Sequence, residues 1–135
     1  MSDPRDGAVR HVSCDGVTKP LPLFSHATVH NGIVYVSCIQ GFIPGTFEFP
    51  SAAAEDQARQ VLRNLKAVLE QAGSDLRHVL KITLFMTDMR DFPGINEAVN
   101  EAFPESPPAR SSIAVAELPR NAKVVIEAIA AVRNE

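Results

Sequence analysis

The dipeptide Asn31-Gly32 is the feature that most restricts how this chain can fold. It lies between two short runs rich in apolar and β-branched residues, 27–30 and 33–38. Asn-Gly in this setting is the strongest short-range signal of a β-hairpin, because a tight type I′ turn needs a left-handed backbone at both central residues. We therefore expect an antiparallel pair of strands here, and the later elements must pack on the sheet that it begins.

The rest of the chain alternates between strand and helix patterns. After the hairpin, hydrophobic periodicity predicts a helix, a strand, a shorter helix and two strands, over 52–72, 78–87, 91–103, 110–116 and 123–132. Ser51 is the candidate N-cap of the first helix, and Gly73 ends that helix as a C′ glycine does. Ile95, Val99 and Phe103 mark the buried side of the second helix.

Two weaker signals precede the hairpin. Residues 9–13 are compatible with a short edge strand, and 20–24 read as an extended apolar loop because their prolines remove the donors that a central strand needs. In the strand over 78–87, the face with Leu80 and Ile82 is more apolar than the face with Lys81 and Thr83, so one face is packed and the other is partly polar. The element order predicts an α+β sandwich with two helices on one face of a mixed sheet.

Composition narrows the function. The chain has 135 residues, enough for one domain with a real core over 1–135, and we expect 1–8 to be flexible. A net charge of −3 without a basic run argues against nucleic-acid and anionic-membrane partners, and no apolar stretch approaches a membrane span. Residues 1–10 lack the apolar segment of a signal peptide, and a cysteine count of two argues against a disulfide, so we expect a cytoplasmic protein.

Common catalytic motifs are missing from the sequence. The four histidines show neither HxH nor HExxH spacing, the cysteines form no CxxC, and no phosphate-binding loop or GxSxG elbow is present. Neither a metal nor a cofactor is therefore expected. Cys38 follows a strand near a loop and is a candidate nucleophile, but a small buried thiol is the favoured interpretation.

Arg110 is the charged residue with the most distinctive setting. Pro107 and Pro108 stiffen the backbone ahead of it, and a short β-type run follows. Its planar guanidinium matches a carboxylate in a bidentate grip. On the residues alone, a surface ion pair at a strand edge is favoured slightly over a ligand anchor.

Several stretches form one pattern that covers residues 20 to 132 in unbroken order. They are Ser37-Cys38-Ile39-Gln40-Gly41, the helix over 57–73, the run over 79–92 leading to Asn96-Glu97, Pro108-Ala109-Arg110-Ser111-Ser112, Leu118-Pro119, and Ile126-Glu127-Ala128-Ile129-Ala130. Together these motifs resemble the Rid (YjgF-like) proteins, a family that deaminates reactive 2-enamino and 2-imino acids.

The resemblance implies a chorismate-mutase-like fold and a homotrimer with a barrel-like core. It also implies three ligand clefts at the subunit interfaces and no cofactor. Association by cyclic symmetry would cover the sheet face that two helices leave open. We expect the small apolar residues of the last strand to pack at that interface, namely Val124, Ile126, Ala128 and Ala130.

The resemblance also assigns site residues. The arginine of the Pro-Ala-Arg motif, here Arg110, is implied to bind the substrate carboxylate and is the one catalytic residue that we name. Ser112, two residues further on, is implied to lend its backbone to the ligand. Ser37 and Asn96 match two further ligand-site positions.

Two positions depart from the family pattern. Phe24 stands where a tyrosine is common, and Val125 stands where active deaminases carry a glutamate that positions or activates the attacking water. Glu127 shares the strand face of Val125 one pleat repeat further along, about 6.6–6.8 Å away, so it is a doubtful substitute. Glu117 lies in a turn and would reach the site only if that turn folded back.

These features leave two functions open. The first is an imine or enamine deaminase that releases a 2-oxo acid and ammonia, with an apolar cleft at Phe24 and Val125 suited to a bulky or aromatic substrate. The second is a trimeric carboxylate-binding protein without deaminase activity, or an enzyme of other chemistry such as isomerisation. A ribonuclease activity has also been credited to the family, but the acidic chain offers no paired His or Lys constellation for it.

Overall fold

The computed structural model describes residues 7–19 and 24–133. Residues 20–23 of the predicted loop over 20–24, and most of the predicted flexible terminus, lie outside these residues. The strands and helices are β1 Arg10–Val12, β2 Ala27–His30, β3 Ile33–Gln40, α1 Ala54–Gln71, β4 Val79–Met86, α2 Phe92–Ala102, β5 Ala109–Ala114 and β6 Val124–Ala131. Short 3₁₀ turns occupy Leu76–His78, Met89–Asp91 and Pro119–Asn121.

The strands form one six-stranded sheet in the order β1-β2-β3-β6-β4-β5. Neighbouring strands are antiparallel except β4 and β5, which are parallel, so the sheet is mixed as predicted. Helix α1 packs on β3, β6 and α2, and one buried apolar cluster joins both helices to the sheet. The α+β class with helices on one face is therefore confirmed.

Strand β6 lies at the centre of this packing. Its residues Val124, Ile126, Ala128 and Ala130 are at most 3% exposed and belong to the core beneath the helices. The expectation that these four residues face other subunits is therefore wrong. The helices take up this face because α1 carries a continuous buried row of Val61, Leu62, Leu65, Val68 and Leu69 against it.

Within residues 7–19 and 24–133, no helix covers the opposite side of the sheet. Residues paired across neighbouring strands point to the same side, so the register places on this side Tyr35, Lys81, Thr83, Phe85, Ser111, Ile113, Glu127 and Ile129. We call these eight residues the open face. Tyr35 is 47% exposed and Ile113 is 45% exposed, so large apolar groups lie uncovered here.

Most predicted boundaries are correct to within two residues, and the exceptions have local causes. Helix α1 begins at Ala54 behind Ala53, and Ser51 instead accepts a hydrogen bond from the Ala53 N–H and donates one to Asp56. Gly73 has a φ of +88° and closes the helix with a Schellman pair of hydrogen bonds, as predicted. Leu80 is 50% exposed because a register shift in β4 turns it out of the packed face.

A β-bulge interrupts the pairing of β3 with β6. Val36 pairs with Ala128 and Ile39 with Ile126, so both Ser37 and Cys38 oppose the single residue Glu127. Bulges of this kind redirect side chains and concentrate beside functional sites. Beyond the bulge, a Cβ at Gly41 would lie 2.6 Å from the carbonyl oxygen of Gln57, so only glycine lets the chain cross α1 this closely.

Candidate functional site

A cleft of about 570 Å³ opens at the bulged end of β3 and β6. Its walls come from both strands, from the segment before β2, from the loop after β3 and from the turn before β6. The lining residues are Val17, Thr18, Lys19, Phe24, His26, Ser37, Cys38, Ile39, Gln40, Phe42, Phe47, Asn64, Phe85, Leu118, Pro119, Arg120 and Val125. This volume lies within the range of small-molecule sites.

Three residues that the sequence assigned to the ligand site line this cleft: Phe24, Ser37 and Val125. Val125 is 2% exposed, so its apolar side chain forms part of the wall. The Ser37 hydroxyl donates to the His26 carbonyl oxygen at 3.1 Å and lies 3.3 Å from that of Ser25. Because its proton is engaged, the Ser37 oxygen presents acceptor lone pairs to the cleft.

His26 fixes the wall behind Ser37. The Cys14 N–H donates to Nδ1 of His26 at 2.9 Å, so the proton is on Nε2, which donates to the Thr18 carbonyl oxygen at 2.9 Å. Both ring nitrogens of this buried side chain are therefore occupied by backbone groups. His26 holds the 14–18 segment in place, and its ring nitrogens are not free for acid–base work.

The loop over 41–50 forms the upper side of the cleft. Asn64 is buried and its amide donates to the carbonyl oxygens of Gln40 and Phe42, both at 2.9 Å. The Phe42 ring lies 5.5 Å from the Phe47 ring in an edge-to-face contact and 5.0 Å from the Phe49 ring in a stacked one. These contacts keep the loop folded over the cleft.

The other predicted site residues lie elsewhere. Arg110 is on the edge strand β5, and its Nη1 donates to Oδ1 of Asn96 on α2 at 2.6 Å. The register pairs Arg110 with Ile82 and Ser112 with Leu84, so both point to the helix side of the sheet. None of these three site residues lines the cleft.

Apart from the family resemblance, the sequence slightly favours a surface ion pair for Arg110, and the described residues do not form one. Among the residues that the structure describes, Arg110 forms no salt bridge, and its partner Asn96 is neutral. The exposed guanidinium thus keeps a charge that no described carboxylate pairs with, near the start of β5 and beside Asn96 of α2. This is an arrangement suited to an anionic ligand.

Cys38 is exposed, contrary to the expectation of a buried thiol. Its Sγ lies 3.9 Å from Oε2 of Glu127 across the bulge. Partial desolvation of the thiol, followed by the negative charge of Glu127 and the hydrogen bond to it, raises the pKa of Cys38 to about 11. The thiol is therefore protonated near neutral pH, which disfavours the nucleophile interpretation.

We expect Cys38 to react slowly with iodoacetamide at pH 8 and to accelerate about tenfold per pH unit until the pH nears 11, because only the thiolate attacks. Glu127→Gln removes the nearby negative charge, so it should lower the pKa and speed alkylation at pH 8. Mass spectrometry of the peptide that contains Cys38 gives the rates, with Cys38→Ser identifying any signal from buried Cys14. A wild-type rate that levels off below pH 9 would contradict this environment.

The charged side chains that line the cleft are positive. Among the residues that the structure describes, its lining includes the cations Lys19 and Arg120 but no aspartate or glutamate. Sequence reasoning missed both cations, although Arg120 directly follows the Leu118-Pro119 motif. Within the described ranges, no group of three His, Cys, Asp or Glu residues is placed to hold a metal ion.

The sequence of this chain is similar to those of known proteins. The profile of the family described as Endoribonuclease L-PSP matches residues 17–132. The chloroplastic Reactive Intermediate Deaminase A of Arabidopsis thaliana is 41% identical over 119 residues, which are 88% of this chain and 64% of that protein. A 2-iminobutanoate/2-iminopropanoate deaminase of Dermatophagoides farinae is 38% identical over 120 residues, 89% of this chain and 94% of that protein.

Solved structures share its fold. Crystal structures of RidA from an Antarctic Psychrobacter species and of E. coli TdcF with bound serine match with TM-scores of 0.86 and 0.85, at 34% and 33% identity. The matched regions cover 91% and 93% of this chain, and 99% of the chain in each of the two crystal structures.

The fold and the cleft define a class of small α+β domains with one bare sheet face and a ligand-sized cleft at its end. The family match and the identities of the relatives identify the family within that class. The chain belongs to the Rid (YjgF) family, as the sequence motifs indicated. Within the described ranges, no helix is both long and apolar enough to span a membrane.

Proposed function

We propose that this protein binds a small 2-imino or 2-enamino carboxylate between the subunits of a homotrimer and hydrolyses it to the 2-oxo acid and ammonia. The observation that carries the proposal is the division of the predicted site into two distant parts. Phe24, Ser37 and Val125 line the cleft, whereas Arg110 and its neighbours occupy the opposite edge of the sheet.

The distance between the two parts is set by the strand order. The β5 strand of Arg110 is three places from the β3 strand of Ser37, which corresponds to about 14 Å across the sheet. Arg110 also points to the helix side, while Val125 pairs with Phe85 on the other side. One chain cannot bring these groups to one ligand, but cyclic association can place the β5 edge of one subunit at the cleft of the next.

The open face supports the same assembly. Its apolar residues Tyr35, Ile113 and Ile129 have no covering element within the described part of the chain. Contact between copies would bury them and form the barrel-like core that we propose for the trimer. Exposed apolar patches with a polar surround are typical of such contacts.

In the proposed reaction, water adds to the imine carbon and gives a carbinolamine, which loses ammonia to leave the 2-oxo acid. Arg110 binds the carboxylate with charge-assisted hydrogen bonds, and the Ser37 oxygen accepts a hydrogen bond from the substrate nitrogen. Val125 cannot carry the proton that leaves the water. The acceleration therefore rests on binding and orientation and is modest.

The second candidate function is a trimeric carboxylate-binding protein without deaminase activity, or an enzyme of different chemistry such as an isomerase. The observation that favours it is the apolar character of the cleft. Val125 is 2% exposed there, and Phe24 brings a ring without a hydroxyl. Thermal shift with 2-oxo acids detects binding under either candidate, because a ligand that binds the native state stabilises it.

We expect Arg110→Gln to lower kcat/KM for a 2-imino acid about 10- to 100-fold, because it removes charged hydrogen bonds to the carboxylate. The imine is generated in situ from an amino acid with an amino-acid oxidase, and its loss is followed by trapping with semicarbazide. Arg77→Gln is the matched control, since Arg77 is an arginine outside both parts of the site.

The outcome separates the two candidate functions. Loss of activity in Arg110→Gln but not in Arg77→Gln supports the deaminase. Equal activity in all three proteins contradicts it. Stabilisation by 2-oxo acids that depends on Arg110, without any imine turnover, supports the second candidate.

A further inference from the structure

We propose that Lys19 and Arg120 form a second anion-binding subsite at the mouth of the cleft. The ligand class would then be a 2-imino or 2-oxo acid whose side chain ends in a further carboxylate. This inference rests on the proposed function, in which Arg110 of a neighbouring subunit binds the first carboxylate.

The charge of the cleft is the first support. The whole chain has a net charge of −3, yet the charged side chains in the described lining of the cleft are two cations, Lys19 and Arg120. Neither forms a salt bridge with a described residue. Two cations that no described carboxylate pairs with, in the lining of a cleft with an apolar wall, favour an anion, and the nearby Glu127 carboxylate contacts Cys38 on the strand β3 instead.

The placement of Arg120 is the second support. Arg120 and Asn121 have φ values of +56° and +59°, a left-handed backbone that residues other than glycine adopt at a cost. This turn sets the guanidinium carbon 4.1 Å from the centre of the Phe47 ring. The contact fixes the side chain over the cleft, and none of its N–H donors is used by a described residue.

The wall of the cleft is the third support. Phe85, Leu118 and Val125 line it and offer no hydrogen bonds from their side chains. Such a wall suits the methylene groups of a ligand chain, while the cations at the mouth suit a charged terminus. A ligand with a carboxylate at each end and an apolar middle satisfies both.

The test uses matched pairs of 2-oxo acids that differ only in the terminal group: 2-oxopentanoate against 2-oxoglutarate, and 2-oxohexanoate against 2-oxoadipate. Titration calorimetry on the intact wild-type protein should show at least one dicarboxylate binding about tenfold more tightly than its partner, the size of one charged hydrogen bond. Arg120→Gln should remove this preference, because it weakens binding of the dicarboxylate more than binding of the monocarboxylate.

Two further variants make the result specific. Arg77→Gln removes the same charge from the surface outside the cleft and should keep the preference. Phe47→Leu keeps the apolar bulk but removes the ring beneath Arg120, so it should reduce the preference in part. A wild-type protein that binds both members of each pair equally would overturn the subsite, as would an Arg120→Gln variant that keeps the preference.

The two proposals fail in different ways. If monocarboxylate binding depends on Arg110 but no dicarboxylate is preferred, the subsite is wrong and the proposed function stands. If Arg110→Gln changes the affinity for neither the monocarboxylate nor the dicarboxylate, the proposed function is wrong, and the subsite that rests on it is wrong too. A lower unfolding temperature of Arg120→Gln, together with an unchanged preference for the dicarboxylate, would show that the contact with Phe47 only stabilises the fold. That result would contradict the subsite.

Discussion

Replacing Val125 with glutamate is expected to raise the rate of 2-imino acid hydrolysis by roughly 10²–10⁴-fold, the usual range for general acid–base help. Val125 lies in the wall of the cleft that Ser37 also lines. A carboxylate there would take a proton from the attacking water and return it to the leaving nitrogen. The apolar wall would raise the pKa of this glutamate toward neutrality, which suits both transfers.

Two controls separate proton transfer from other effects of the substitution. Val125→Gln adds a polar group of similar size that cannot exchange a proton, so its rate should stay near that of the wild type. Thermal unfolding of both variants measures the cost of placing a polar group at a position that is 2% exposed in the native chain.

The same semicarbazide assay measures the rates of all these variants. A folded Val125→Glu protein with a rate no higher than that of Val125→Gln would show that the cleft does not hold an imine at this wall. The loss of the gain when Arg110→Gln is added to Val125→Glu would show that the carboxylate anchor and the water-activating group act on one ligand.

The fold was largely predictable because its local signals agree. The Asn31-Gly32 turn, the buried row of α1 and the closing Gly73 all reappear with bounds close to those expected. The faces of β6 were harder to predict. Nearly every residue of Val124–Ala131 is apolar or small, so alternation could not tell which side the helices cover, and the wrong side was assigned to the subunit interface.

The site was predictable only in its parts. Family motifs pointed to Arg110, Ser37 and Asn96, but strand order decides which of them meet, and that order depends on long-range pairing that no local pattern encodes. The bulge that turns Ser37 and Cys38 against Glu127 has no signal in the apolar run of β3. Arg120 was missed because a surface arginine in a turn is ordinary until its aromatic partner, Phe47, is known.

The structure also separates two properties that the motifs combine. The guanidinium of Arg110 is exposed and held by a neutral partner, so it is available to an anion whatever follows chemically. The cleft that would receive the reacting carbon is apolar at Val125, where a proton carrier is expected in active relatives. Carboxylate binding and deamination can therefore be tested independently, and both depend on whether the two parts of the site meet in an assembly.

Ile129→Asp is expected to dissociate the proposed trimer and to abolish carboxylate binding with it. Ile129 lies on the open face, paired with Lys81 on one side and Tyr35 on the other, and is already partly buried. In the trimer each new carboxylate would lose its hydrating water, and the cross-strand neighbour Lys81 would offset only part of that cost. At roughly 3 kcal/mol per buried charge, three copies weaken assembly by a factor on the order of 10⁶.

Light scattering during gel filtration measures the mass, and thermal shift with 2-oxohexanoate measures binding on the same samples. Gln71→Asp is the control, because it adds a charge at an exposed position of α1, on the helix-covered side of the sheet. It should leave both mass and binding unchanged. Circular dichroism shows whether the Ile129→Asp subunit keeps its fold, and a folded monomer that still binds through Arg110 would mean that a single chain completes the site. The strand order argues against that result, since it keeps Arg110 three strands away from Ser37.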